Sequence, residues 1–205
     1  MQDRYVGDIG DFAKYSLLNA VSKNRRLGMA WYHFPDEGHN SDGKHIKYLN
    51  SPELWRNRDP NVFDELKNII EDDKRKISEI RKRRVVNATS HSFELLDSVL
   101  TSYQQRAQWR KAWFDRQILA LENCDIVFAD PDNGLYSSEQ FRYSNKKMWK
   151  RHPIHEAVRL SENRCGVIYH HNTRRKGGHV NEIMHLLAEM PESRFAVRVR
   201  LGSAR

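Results

Sequence analysis

The apolar residues of this chain follow two alternating rhythms, one helical and one extended. Over residues 11–23 they recur at helical spacing, which turns Phe12, Tyr15, Leu18, Ala20 and Val21 inward and leaves Asp11 as the cap. Residues 27–34 read as a short strand and 35–44 as a polar loop. From 52 to 84 the pattern is helical but densely charged, with Val62, Leu66, Ile69 and Ile70 as its apolar stripe, which suits a helical insertion. Val85 and Val86 suggest a brief strand, followed by helices over 92–103 and 106–121, the second led by Trp109 and Trp113 as core residues. The run Ile126-Val127-Phe128-Ala129 suits a strand buried on both faces. It should stop at Asp130, because Pro131 cannot donate to a neighbouring strand and Gly134 permits positive φ. Helices over 153–160 and 180–190 bracket a strand at 166–169, and 195–199 alternates apolar with basic residues as an edge strand would. Strands separated by helices predict an α/β protein, a three-layer α/β/α sandwich around a mostly parallel sheet. We expect a single domain over 1–205 with the insertion at about 52–84.

A hydrophobic share of 39% beside 30% charged residues describes a polar globular protein rather than a disordered one. No apolar run approaches the roughly 18 residues of a membrane span. The first residues lack the apolar core of a signal peptide, so the expected location is the cytoplasm. Cys124 and Cys165 each open a strand and read as small buried hydrophobes. Net charge is +8, and the cations cluster at 23–26, 74–84, 146–151 and 174–176. Such clusters favour a nucleic acid or nucleotide partner through counterion release, with Lys146, Lys147, Lys150, Arg151, Arg174, Arg175 and Lys176 as contacts. Tyr143 and Trp149 stand near enough in sequence to offer stacking faces. The 74–84 run reads more simply as the solvated face of a helix.

Four constellations fall near strand ends or helix starts. Gly7-Asp8-Ile9-Gly10-Asp11 is a glycine-punctuated turn running into the first helix, where amides can approach a ligand and Asp8 or Asp11 can accept from one. Residues 34–45 pack Asp36, Glu37, His39, Asp42, Lys44 and His45 into one loop, a density unusual for a connection. Asp130, Asp132 and Asn133 gather two carboxylates and a carboxamide at the carboxyl edge of a strand, where ligands bind in open α/β sheets. His170 and His171 end another strand; adjacent side chains of a strand point to opposite faces, so one of the two should reach the crevice. Arg174, Arg175 and Lys176 before Gly177-Gly178 suit a phosphate-contacting loop.

The glycine- and Asp-containing segment from Tyr5 to Tyr15, the strand and loop over 28–43, and Asp130-Pro131 at a later strand end follow one another in a telling order. This order resembles that of the class I S-adenosylmethionine-dependent methyltransferase superfamily, most of all the bacterial adenine-N6 methyltransferases of large-subunit ribosomal RNA. The resemblance implies a Rossmann-like sheet and S-adenosylmethionine as cofactor, held by Gly7, Asp8, Gly10, Asp11 and Asp36. It also implies that Asp130 and Asn133 orient the target amine. Asp132 and Asn133 replace the proline and aromatic residue of the family's Asp-Pro-Pro-Tyr, so this turn is more acidic and less suited to stacking a base. Gly38 and Gly43, five apart, stand in place of a tight Gly-x-Gly.

The alternative is a Mg²⁺-dependent nuclease or phosphodiesterase. Asp36, Asp42 and Lys44 imitate a Pro-Asp…Asp-x-Lys signature, and Asp130 with Asp132 would hold the metal while His170 or His171 moves a proton. A third reading is a non-catalytic nucleic-acid binder. Acids near strand ends weigh against it, since they repel phosphate.

Overall fold

The computed structural model describes residues 1–38, 43–171, 176–190 and 196–197. Its strands are β1 (Leu27–Ala30), β2 (Ser90–Ser92), β3 (Ile126–Ala129), β4 (Leu135–Tyr136), β5 (His152–Pro153) and β6 (Cys165–Ile168). Its helices are α1 (Ile9–Val21), α2 (Pro52–Trp55), α3 (Pro60–Glu71), α4 (Ile77–Lys82), α5 (Tyr103–Ala120), α6 (Ile154–Leu160) and α7 (Gly178–Ala188). Four strands form one parallel sheet in the order β2-β1-β3-β6, with Leu27 opposite Ile126 and Ile126 opposite Cys165. β4 and β5 make a separate parallel pair. The protein is thus α/β with a parallel four-stranded sheet and seven α-helices among the described residues.

Strand alternation sorts the core against the sheet into two clusters, beside a third, smaller one of Leu135, Ile154, Ala157 and Leu186. Leu27, Met29, Ile126 and Phe128 pack with Phe12, Tyr15 and Leu18 of α1, Val62, Phe63, Leu66 and Ile69 of α3, and Ile77 and Ile80 of α4. Ala30, Val127 and Ala129 pack with Trp113 and Phe114 of α5 and Leu160 of α6. Successive residues of β1 and β3 therefore serve opposite clusters, which is why both strands read as unbroken apolar runs.

Several boundaries differ from the sequence expectations. α1 starts two residues early because Asp8, not Asp11, is its cap, accepting from the Gly10 amide at 3.1 Å. β1 ends at Ala30, since Tyr32 adopts φ 45°, although Trp31 and Tyr32 remain buried. Val85 and Val86 are core residues but not a strand; the strand forms at Ser90–Ser92, where serines and a histidine hide its character. No helix forms over 92–102, and α5 begins at Tyr103 instead. The charged 52–84 stretch breaks into α2, α3 and α4, with Pro52 and Pro60 each opening a helix. Trp113 is buried as expected, and Trp109 stacks on Trp149 at 5.1 Å. Trp149 itself is fully buried and so offers no stacking face to a nucleic-acid base. Cys124 is buried, but Cys165 is exposed because it lies on β6, at the margin of the described sheet. The expected strand at 195–199 falls largely outside the described residues, as do Asp42, Arg174 and Arg175. No helix among the described residues is long and apolar enough to cross a membrane.

Candidate functional site at the carboxyl edge of the sheet

From β1 the chain runs through α2, α3 and α4 to β2 on one side, and from β2 it returns through α5 to β3 on the other. β1 and β3 are therefore the neighbours between which connections diverge, and the gap beyond their carboxyl ends is the natural crevice of such a sheet. The residues that follow them are Trp31 and Tyr32 on one side, and Asp130, Pro131 and Asp132 on the other. α1 precedes β1 and runs antiparallel to it, so its first turn, with Asp8 and Asp11, reaches the same edge.

Lys14 joins these parts. Its ammonium is 2.8 Å from Asp11 Oδ1 and 2.8 Å from Asp130 Oδ2, and 4.7 Å from the centre of the Tyr169 ring. All three charged side chains are almost withdrawn from solvent, at 11%, 2% and 2% exposure. Burial pushes the Asp11 carboxyl up to about 6 against the pull of Lys14. Burial also works against the Lys14 charge, but Asp11 and Asp130 outweigh it and hold the ammonium firmly protonated.

The crevice between β1 and β3 is occupied by the start of the chain. The Met1 α-ammonium donates to Tyr32 O at 3.1 Å and to Asp130 O at 2.9 Å. Burial lowers its pKa, opposed by the charges of Asp132 and Asp130. Gln2 Nε2 donates to Asp132 Oδ2 at 2.6 Å, and the Gln2 carbonyl oxygen Oε1 accepts from the Glu37 amide at 3.0 Å. Lys150 reaches Asp132 Oδ2 at 3.3 Å and also pairs with Glu37. Burial alone would raise Asp132, but the Met1 ammonium, Gln2 and Lys150 together keep its carboxyl low.

The turn after β3 is held from three directions. Asn133 N donates to Lys150 O at 2.8 Å, and Gly134 O accepts from His152 N at 2.9 Å. Leu135 N donates to His170 Nδ1 at 3.0 Å. Gly134 has the expected positive φ, 68°, and a Cβ there would stand 2.4 Å from His170 Nδ1, so only glycine lets the imidazole lie against the turn.

Both histidines lie beyond Ile168, the last paired residue of β6, so strand alternation does not separate them; their rings are 6.2 Å apart and nearly parallel. His171 faces the acids: burial lowers its pKa, with Asp132 and Asp130 among the groups opposing this, and its Nδ1 is buried without a hydrogen-bond partner among the described residues. His170 turns toward α7. Its Nε2 is 3.6 Å from Glu182 Oε2, which is also 3.6 Å from His179 Nδ1. These three groups converge closely enough to suggest a metal site. The Leu135 amide argues otherwise, because an imidazole that accepts at Nδ1 carries its proton on Nε2, where a metal ligand needs a lone pair.

The sequence-derived residues thus separate into four sets. Asp8, Asp11, Asp130, Asp132, Asn133, His170 and His171 gather on one edge, together with Lys150 from the basic cluster. Gly7 and Gly10 are beside them, but their amides already serve Asp11 and Asp8. Asp36 is exposed on the loop after β1 and accepts from Arg4 N at 3.2 Å. Lys146 pairs with Asp97, Arg151 lies 4.4 Å over the Tyr136 ring, and Lys147 and Lys176 are exposed. Sequence reasoning missed Lys14, Met1 and Gln2. Lys14 carried a usable signal, since it stands one helical turn beyond Asp11 on the same side of α1. Comparison with protein-family models, curated proteins and solved structures finds no match for this chain.

Proposed function

We propose that this carboxyl edge belongs to a three-layer, Rossmann-like sandwich that binds S-adenosylmethionine and transfers its methyl group to an amine of a nucleic acid or nucleotide. The observation that carries the reading is the Met1 α-ammonium, held by the Tyr32 and Asp130 carbonyls between β1 and β3 and set among acids. S-adenosylmethionine carries the same group, an α-ammonium on a methionine chain. The acceptors at this point therefore fit that half of the cofactor, and Met1 and Gln2 must withdraw for it to enter. When bound, the cofactor supplies an electrophilic methyl group.

The chain's own residues then have distinct tasks. Asp130 and Asn133 orient the acceptor amine, while Asp132 and His171 lie beside them to take up its proton. Gly7, Asp8 and Gly10 shape the turn that presents Asp11 and Lys14 rather than touching the cofactor, since their polar groups are already engaged. Asp36 is exposed on the loop that follows β1, where it accepts from Arg4 N. Lys147 and Lys176, both exposed, supply contacts to phosphate.

Calorimetric titration with S-adenosylmethionine tests the reading. We expect saturable heat that Asp132→Asn weakens; absence of heat at millimolar cofactor overturns it. A second reading rests on Asp11 and Asp130, whose oxygens converge on one ammonium as two carboxylates would on Mg²⁺. Asp132, by contrast, pairs with a different cation, Lys150. Mg²⁺-dependent cleavage of an oligonucleotide that Asp130→Asn abolishes would favour that reading.

A further inference from the structure

We propose that His170 is a positioning residue which fixes the Asp130–Gly134 turn through the Leu135 amide, and that Glu182 and His179 of α7 hold its ring for that task. The inference rests on the reading of this turn as the binding site. Three geometric observations support it. The ring accepts from Leu135 N at 3.0 Å, one residue beyond the turn. Gly134 leaves the space into which Nδ1 fits, and a methyl group there would collide with it. On the far side Nε2 is directed at the Glu182 carboxylate, and the His179 ring stacks on that of His170 at 5.8 Å and 5°.

The contact has a definite proton requirement. In the neutral ring Nδ1 offers a lone pair to the Leu135 N–H, and Nε2–H points at Glu182. In the imidazolium both nitrogens carry protons, so Nδ1–H would face N–H and the contact that restrains the turn would become repulsive. Among the described residues the charged groups around the ring are Glu182, which favours the imidazolium, and His171 and His179, which oppose it; burial opposes it most. The neutral, turn-holding form is thus the resting form at neutral pH. Acid should release the turn.

Two measurements test this on the full chain. The first follows the Leu135 amide by NMR as pH is lowered, without any ligand. We expect its resonance to shift and its hydrogen exchange to accelerate with the titration of His170. Glu182→Gln should move that inflection to lower pH, because the group that favours the imidazolium is gone. His170→Asn, whose Oδ1 supplies an acceptor in the position of Nδ1 but cannot take up the proton, should keep the amide protected and abolish the inflection. A Leu135 amide indifferent to His170 protonation, or an unchanged inflection in His170→Asn, overturns the proposal.

The second measurement is the affinity for S-adenosylmethionine across the same pH range. We expect His170→Leu to weaken it by roughly tenfold, the scale of one lost hydrogen bond, with His170→Asn restoring it. Equal weakening in both variants overturns the positioning role. If no variant and no pH gives binding, the cofactor reading fails while the amide experiment still decides the role of His170.

Discussion

Lys14 shows how one side chain can connect distant parts of a chain. It draws Asp11, three residues away, and Asp130, from a different strand, onto a single buried cation. Lys14→Met would leave two carboxylates in the interior with no counter-charge, a change that typically costs about 3–5 kcal/mol. The sign of its pH dependence follows. Burial already holds the Asp11 carboxyl above its unfolded value, and without Lys14 it would rise further, so the loss should be greatest at neutral pH and shrink as acid protonates it. Urea denaturation of the variant and the native chain at neutral and mildly acid pH measures this difference; a loss independent of pH would mean that the carboxylates find another partner. At this scale the sequence was informative about acids and less so about their partners. Asp130, Asp132 and Asn133 announce themselves by sitting between an apolar run and a glycine. Lys14 is masked because a lysine in an amphipathic helix ordinarily faces water, and only the proximity of β3 to α1 reveals its task.

Among the elements, β1 and β3 were legible because strands covered on both faces need continuous apolar residues, whereas β6, exposed at Cys165 and Gly166, was legible only from its short apolar run. β2 was not, since Ser90-His91-Ser92 has no such run; it is recruited by register, with Gly28 opposite Ser90 and Ala30 opposite Ser92. The 52–84 stretch was correctly read as helical, but its packing is more intimate than an appended insertion. Arg75 of the connection between α3 and α4 donates to Val6 O at 2.8 Å and Gly43 O at 2.6 Å, and Ile70 fills the space beside Gly7. This helical stretch therefore shapes the segment that carries Asp8 and Asp11. On the other face, α5 and α6 are joined by Arg110 and Glu156, a bidentate pair at 2.9 and 2.6 Å that is fully buried. Tyr32 adds its hydroxyl to Glu156 at 3.1 Å, and the guanidinium lies 4.8 Å from the Trp113 ring. Glu156→Leu alone should cost about 3–5 kcal/mol by stranding the guanidinium, whereas the double change Arg110→Met with Glu156→Leu should cost much less. Chemical denaturation of the three variants checks this. A double variant as unstable as the single one would show that the ion pair contributes net stability.

For the molecule as a whole, the strand order explains why constellations far apart in sequence meet. The helix that precedes β1 and the loops that follow β1, β3 and β6 all arrive at one edge, so Asp11, Asp130 and His171 come together although they are far apart in sequence. The order of elements was legible as an alternation of rhythms; the order of strands was not, because sequence periodicity does not specify which strands lie side by side. Net charge of +8 is likewise a property of the whole, and its local meaning changes with position. Lys150 is spent inside the site on Asp132 and Glu37, while Lys147, three residues earlier, is left in solvent.

The burial of the Met1 ammonium has a practical consequence for handling the protein. A purification tag fused ahead of Met1 converts that ammonium into a peptide amide, removes its charge from beside Asp130 and Asp132, and forces extra chain through the gap between β1 and β3. Tagged material should therefore melt at a lower temperature than the same chain after cleavage to a free Met1. Binding assays made on it would report on an altered site.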